Sequence, residues 1–338
     1  MQYRPRALYL HSPAFLTPVI TDTEGSFLAK WLPKHNPPEM LFHYTDLSGM
    51  QGILNDRSLW LGHASCFSDP SEIQYGKGIV SSILLNEVEK EGNEGIRMFL
   101  RMMLNHIQAF AASSTHDVFV SCFCESGNLL DQWLKYARGG EGYSLGFKFS
   151  STTRIASDSQ KLEAGKEPYF RKVVYNEECQ RILVQEYLGS ILNAIKEGLK
   201  TGDVEFSEKD GNSAVVATQA ADILLDMMVC FKHPAFEPEN EWRLIRITRH
   251  DVEPEALRFR ESSGELKPYR PMYIYDVEEN EELSFPLRSI GFGPKLEPGR
   301  THPTIRLLIQ HLAADQHLIK VPTHNIQVYA AGYPLRKE

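Results

Sequence analysis

A short apolar run, Leu41-Phe42-His43-Tyr44, is followed by Leu47, Met50, Ile53 and Leu54 at helical spacing. The run reads as a strand and the spaced residues as an amphipathic helix, with Thr45 or Asp46 as its cap. Leu59-Trp60-Leu61 reads as another short strand. Ser68 or Asp69 then caps a turn into a helix, with Pro70 in the first turn and the Glu72 carboxylate near the helix start. A helical pair is predicted at about 72–91 and 94–113, divided at Gly92-Asn93. Val118 to Phe123 has the composition of a buried strand, and residues 128–138 that of a short helix. Trp133 and Tyr136 are three positions apart and so share a face of that helix.

Further along, Gly142 to Phe149 reads as a strand entered from the Gly139-Gly140 turn, and 150–167 as a loop. Tyr169 to Tyr175 is strand-like, and helices are predicted at about 177–199 and 213–231. A strand is expected from Glu239 to Thr248, a strand pair within 257–275, and a solvated acidic loop from Asp276 to Glu282. Ser289 to Pro294 ends a strand in a turn, 302–315 is helical, and 325–330 forms a last strand. There is no steady strand–helix–strand rhythm and no repeat, so the class is α+β: mixed, largely antiparallel sheets flanked by helices. Residues 1–40, rich in proline and aromatics, read as an arm or cap; 41–338 read as a single domain with helical insertions near 72–113 and 177–231.

The 338 residues are 42% hydrophobic and 24% charged, the profile of a soluble globular chain. The formal net charge of −8 disfavours a partner gripped through many phosphates. The start, MQYRPRALYLHSPAFLTPVI, is too interrupted for a signal peptide, and no apolar run is long enough to span a membrane. Cys66, Cys122, Cys124, Cys179 and Cys230 are scattered and make no Cys-x-x-Cys, so buried reduced thiols in a cytoplasmic protein are expected rather than a zinc site.

The chemistry concentrates where predicted strands end. Glu239 and Glu241 are two apart, which on a strand puts both carboxylates on one face, at the mouth of the sheet. A solvated edge ahead of a buried strand accounts for the same pattern. His43, Tyr44 and Thr45 close the first strand, where a helix cap and an aromatic packed at the strand edge are the plainer reading of them alone. Asp69 and Glu72 serve as capping residues, Trp133 and Tyr136 as core packing, and Lys232, Glu241 and Arg243 as a structural ion cluster, on the plainer reading of each. Asp69, Glu72, Glu239 and Glu241 also supply the oxygen ligands of a metal-dependent nuclease or phosphodiesterase, without a convincing metal-binding spacing. There is no Gly-x-Ser-x-Gly elbow, no dinucleotide-binding glycine pattern and no phosphate-cradling loop.

Five motifs fall in order: Leu41-Phe42-His43-Tyr44-Thr45, Phe67-Ser68-Asp69-Pro70-Ser71-Glu72, Cys122-Phe123-Cys124-Glu125, Trp133-Leu134-Lys135-Tyr136-Ala137 and Glu241-Trp242-Arg243-Leu244. The succession resembles a widespread bacterial family of unknown function over roughly 41–336, with Tyr329 to Arg336 similar to its close. Ser68 stands where that pattern has asparagine, and Cys124 where it has serine. The first motif is also remotely similar to the opening of DarT-type and RNA 2′-phosphotransferase-type ADP-ribosyltransferases, with His43, Thr45 and Glu241 at the corresponding places.

That resemblance implies an ADP-ribosyltransferase-like fold and NAD as substrate, in an enzyme serving as a toxin or in phage defence. Glu241 would then stabilise the positive charge that builds on the ribose, with Glu239 as an orienting neighbour and His43 on the ribose hydroxyls. Tyr44 or Tyr136 would stack on nicotinamide, and Lys232 or Arg243 would meet the diphosphate. Thr45, Asp69, Glu72 and Trp133 complete the expected binding set. Protein, nucleic acid or water remains open as acceptor, as does a non-catalytic nucleotide-binding module. The decisive expectation is geometric: His43, Tyr136, Lys232 and Glu241 should meet in one cleft.

Overall fold

The computed structural model describes residues 37–66, 71–110, 116–157, 169–201, 211–249, 256–262, 264–278, 280–322 and 326–333. Most of the expected N-terminal arm, and Asp69, lie outside the described residues.

β1 (Met40–Thr45) runs antiparallel to β4 (Tyr143–Lys148) along its whole length, from Met40 opposite Lys148 to Thr45 opposite Tyr143. Asp46 then caps α1 (Leu47–Asp56), its carboxylate accepting the Gly49 N–H at 2.7 Å. Glycine is required at 49, because a Cβ there would lie 2.0 Å from Thr45 Oγ1. The helix stops at Arg57, which adopts the left-handed region at φ 53°. β2 (Ser58–His63) follows, and then a 3₁₀ turn, Ala64–Cys66. α2 (Ser71–Lys90) and α3 (Glu94–Ala109) form the expected helical pair; Asn93 caps the second by accepting the Ile96 N–H at 3.1 Å.

β3 (His116–Cys124), α4 (Leu130–Lys135), β5 (Thr153–Ala156) and β6 (Tyr169–Lys172) come next, then the long helices α5 (Glu177–Thr201) and α6 (Gly211–Val229). β7 (Glu241–Arg249), β8 (Arg258–Ser262), β9 (Glu265–Val277), β10 (Leu283–Ser284) and β11 (Leu287–Phe292) complete most of the sheet. α7 (Pro298–Ala314), β12 (Ile319–Lys320) and β13 (Gln327–Ala330) close the described chain. Among the described residues, thirteen strands join in one curled sheet. The β10–β12 and β11–β13 pairs are parallel and the other named pairs antiparallel, so the α+β, largely antiparallel expectation holds at that level. No helix among the described residues is long and apolar enough to cross a membrane.

β3 organises the sheet. β7 covers one of its edges throughout, from His116 opposite Arg249 to Cys124 opposite Glu241. Its other edge is shared: β2 pairs at Phe119 and Val120, and β1 only at Cys124, opposite Phe42. The sheet therefore forks along that edge. Because side chains alternate, β3 and β7 present two contrasting faces. Val118, Val120 and Ile245 point into the core formed with α2, α3, α5 and α6, among residues such as Val80, Phe99, Leu188 and Leu224. Phe119, Phe123, Trp242 and Leu244 point into a second core with Leu41, Phe147, Ile290 and Ile309. There Phe123 lies 5.7 Å from Phe170 and 6.0 Å from Phe149, ring centre to ring centre.

Three expectations from the pattern are corrected. Thr153–Ala156 is strand rather than loop: its β-branched Thr153 and Ile155 are buried on the pleated surface against β9. Asp276 is not part of a solvated loop; it is the penultimate residue of β9, buried, and accepts the Thr153 hydroxyl at 2.6 Å. Glu239 is not a strand residue. Pro238 has no N–H for the ladder, so Pro234–Glu239 is a 3₁₀ turn, and Asn240 turns the chain into β7 at φ 44°.

Candidate functional site

The turn brings Glu239 to Glu241 by a route other than strand alternation. Both carboxylates reach Lys232, which follows the end of α6. Its ammonium lies 2.7 Å from Glu239, 3.0 Å from Glu241 and 2.7 Å from Glu72 on the first turn of α2. Those contacts use all three of the ammonium's donors. Arg243 sits on the same face as Glu241, two positions along β7. Its Nε donates to Glu241 Oε1 at 2.7 Å, its Nη2 to Glu72 Oε2 at 2.6 Å, and its Nη1 to the Val229 carbonyl at 2.5 Å. The guanidinium thus closes the C-terminal end of α6, where a cation is favoured by the helix dipole.

Glu72 arrives through close helix packing. Gly76, one turn along α2, lies against α6, and a Cβ there would come within 2.4 Å of the Met228 carbonyl oxygen. Lys232 is only 2% exposed, and Glu72, Glu239, Glu241 and Arg243 are also buried. Burial alone would push the Glu241 carboxyl upward, but Arg243 and Lys232 outweigh it and hold its pKa down to about 2. Burial works against the charge of Lys232, yet Glu241 and Glu72 raise its pKa well above the usual lysine value. Arg243 is raised in the same way by Glu241 and Glu72.

A rim surrounds this buried set. Lys135, 47% exposed, reaches Glu239 Oε1 at 3.0 Å, and the Tyr136 hydroxyl donates to Glu239 Oε2 at 3.3 Å. Both lysine ammonium groups lie over the Phe236 ring, Lys232 at 5.0 Å and Lys135 at 5.5 Å from its centre. The half-buried Cys122 stands opposite Arg243 in the register; burial, and then the Glu241 charge, push its thiol pKa well up, so it is held as the inert thiol. The Tyr175 hydroxyl accepts the Glu241 N–H at 2.9 Å.

Six of the expected residues therefore come together: Glu72, Tyr136, Lys232, Glu239, Glu241 and Arg243. His43 does not join them. It neighbours Phe123 on the opposite face of the sheet, at 5.5 Å between ring centres, while Glu241 lies opposite Cys124 on the helix-facing side. The reason is the alternation itself, since Phe42 and not His43 pairs with Cys124. The His43 Nδ1 instead bonds the Cys122 carbonyl at 2.8 Å, in the fork between β1 and β2. Burial lowers its pKa, partly offset by that hydrogen bond. Thr45 falls on the same far face and is buried beneath Gly49.

Tyr44 and Trp133 also lie outside the charged cluster. Tyr44 lies edge-on to Trp133 at 4.9 Å, and its hydroxyl donates to the Ser126 carbonyl at 3.1 Å and accepts the Leu129 N–H at 2.9 Å. Trp133 is fully buried, and its indole N–H donates to Asn128 at 3.2 Å. Both hold the turn before α4. Among the described residues no group of three or more His, Cys, Asp or Glu is arranged to hold a metal ion.

Residues 132–244 match the model of a family described as a protein of unknown function (DUF2971). The matched span begins beside Trp133 and closes beside Arg243, so it contains every charged member of the cluster except Glu72. It covers the later motifs of the resemblance and leaves His43 and Asp69 outside. No curated protein and no solved structure matches the chain.

Lys135, Phe236 and Tyr175 carry no role in the sequence pattern, and Cys122 only that of a buried thiol. Lys135 and Cys122 both lie inside the ordered motifs, Lys135 beside Tyr136. Phe236 carries no such signal, because its position depends on a proline-bounded turn.

Proposed function

We propose that the chain is an NAD-directed enzyme, performing ADP-ribosyl transfer or NAD hydrolysis, in which Glu239 rather than Glu241 meets the ligand. The observation that carries this reading is the charge balance of the cluster. Three buried carboxylates, Glu72, Glu239 and Glu241, face two buried cations, Lys232 and Arg243. One negative charge is left, and the half-exposed Lys135 covers it from the surface at Glu239. A ligand that builds positive charge beside Glu239 replaces Lys135 there. Breaking the nicotinamide–ribose bond builds such a charge: the bonding pair leaves with nicotinamide, and the ribose cation is captured by an acceptor that loses a proton. Lys232 and Arg243 hold the carboxylate set in place before reaction, and Phe236 and Tyr136 offer aromatic surface at the rim.

The test is NAD turnover per folded molecule. Glu239→Gln is expected to lower it by about a hundredfold, the scale of one preorganised electrostatic group, while EDTA leaves it unchanged. Absence of NAD cleavage by the parent protein sinks the reading. The metal-dependent alternative is less favoured, since Lys232 and Arg243 already occupy the Glu72 and Glu241 oxygens it needs. A binding module without turnover is favoured by one observation, the saturation of every Lys232 donor. NAD binding by calorimetry with no product formed decides for that second reading.

A further inference from the structure

A second polar group stands on the opposite face, near the start of β3. The His63 Nε2 lies 3.2 Å from Asp117 Oδ1, and its Nδ1 lies 2.7 Å from Ser65 Oγ. The Ser65 N–H also points at that Nδ1, at 3.2 Å. An amide N–H only donates, so Nδ1 is the acceptor and the ring proton sits on Nε2, toward Asp117. The Ser65 hydroxyl, exposed to solvent, then donates to an unprotonated nitrogen. This is the arrangement of a nucleophile beside a base that is oriented by a third group.

The local turn alone does not explain it. The same histidine turn recurs at His233, whose Nδ1 accepts the Ala235 N–H at 3.2 Å, and at His317, whose Nδ1 accepts the Ile319 N–H at 3.1 Å. Neither of those turns sets a serine hydroxyl on one ring nitrogen and a carboxylate on the other. Asp117 is 54 positions from His63 and is delivered by the β2–β3 pairing. The ring is further fixed edge-on against Phe119 at 5.2 Å, and the Arg270 guanidinium covers Phe119 at 5.1 Å. Thr248, directly opposite Asp117, buries a hydroxyl with no hydrogen-bond partner among the described residues.

We propose that Ser65, His63 and Asp117 form a nucleophilic hydrolase site for carboxylic esters, separate from the Glu239 site. Ser65 Oγ bonds to the ester carbonyl carbon, and its proton passes to His63 Nδ1. Collapse of the addition intermediate breaks the carbon–alkoxide bond, and the alkoxide leaves with that proton. Water then hydrolyses the acyl-serine by the same base. Asp117 acts through His63 and is a positioning residue.

The experiment treats the full chain with a fluorophosphonate probe, locates the adduct by peptide mass spectrometry, and follows hydrolysis of a p-nitrophenyl ester. Labelling at Ser65 is expected, abolished by Ser65→Ala and slowed at least about tenfold by His63→Gln, in keeping with the size of general-base effects. Asp117→Asn is expected to slow labelling and to shift its pH profile while the unfolding midpoint stays in place, a shift that a structural role would not produce. No adduct at Ser65, or an adduct rate indifferent to His63→Gln, overturns the proposal.

Discussion

The two faces of the β3–β7 pair are made from alternate residues of the same strands, and they make burial tolerable in opposite ways. On the helix side, Glu241 and Arg243 are desolvated together with Glu72, Glu239 and Lys232, and direct pairing offsets that cost. On the other side, Phe119, Phe123, Trp242 and Leu244 bury apolar surface, and His43 is accommodated as a neutral ring on a backbone carbonyl. Trp242 stands between the two charged residues in the chain and belongs to the other medium. Neighbours in sequence are thus separated by the thickness of the sheet, while Glu72 and Arg243, far apart in sequence, touch at 2.6 Å.

The contrast predicts different failures. The largest is expected from Arg243→Met, which leaves Glu241 and Glu72 under-compensated in a buried place. A loss of about 4 kcal/mol in urea unfolding is expected, within the range for breaking a buried pair by removing one partner. A loss below about 1 kcal/mol would mean the charges are better solvated than their burial implies. Adding Glu241→Leu to Arg243→Met is expected to recover part of the loss, because the two residues share one interaction.

Acid separates the faces next. The folded pKa of His43 is lowered, so its contribution to stability is full above its ordinary value of 6.5 and declines as pH falls below it. Glu241 is depressed from 4.5 to about 2, so its contribution is full above 4.5 and is lost across the window down to about 2. Stability measured against pH is therefore expected to lose part of its mild-acid slope in His43→Gln, His317 keeping the rest, and part of its strong-acid slope in Glu241→Gln, with Glu125 and Asp315 among the other lowered carboxylates. Interchange of those two assignments would break the comparison. The smallest effect belongs to the rim: Lys135→Ala is expected to cost less than about 1 kcal/mol, the usual worth of a half-exposed pair.

Much of the framework was legible in the sequence, where local rules act alone. The Asp46 cap, the break at Asn93 and the long helices α5 and α6 follow from capping chemistry and helical spacing. The cluster was legible in membership but not in geometry. Glu239 and Glu241 converge because a proline-bounded turn folds one back onto Lys232, whereas the pattern suggested shared strand alternation. His43 was placed with Glu241 because the order of motifs carries no information about sheet face; that is fixed by the pairing of Phe42 with Cys124. The serine–histidine–aspartate contact was invisible for a related reason, since it needs the β2–β3 register.

Gly76 gives the packing of α2 on α6 an electrical meaning. Positions 76 and 228 touch one helical turn away from where 72 meets 232, so the absence of a side chain sets how far a carboxylate can travel. Alanine there is the better helix former by roughly 1 kcal/mol, yet its methyl would wedge two helices apart and draw an anion off two cations at once. The least chemical residue of the region meters the voltage of its most chemical one.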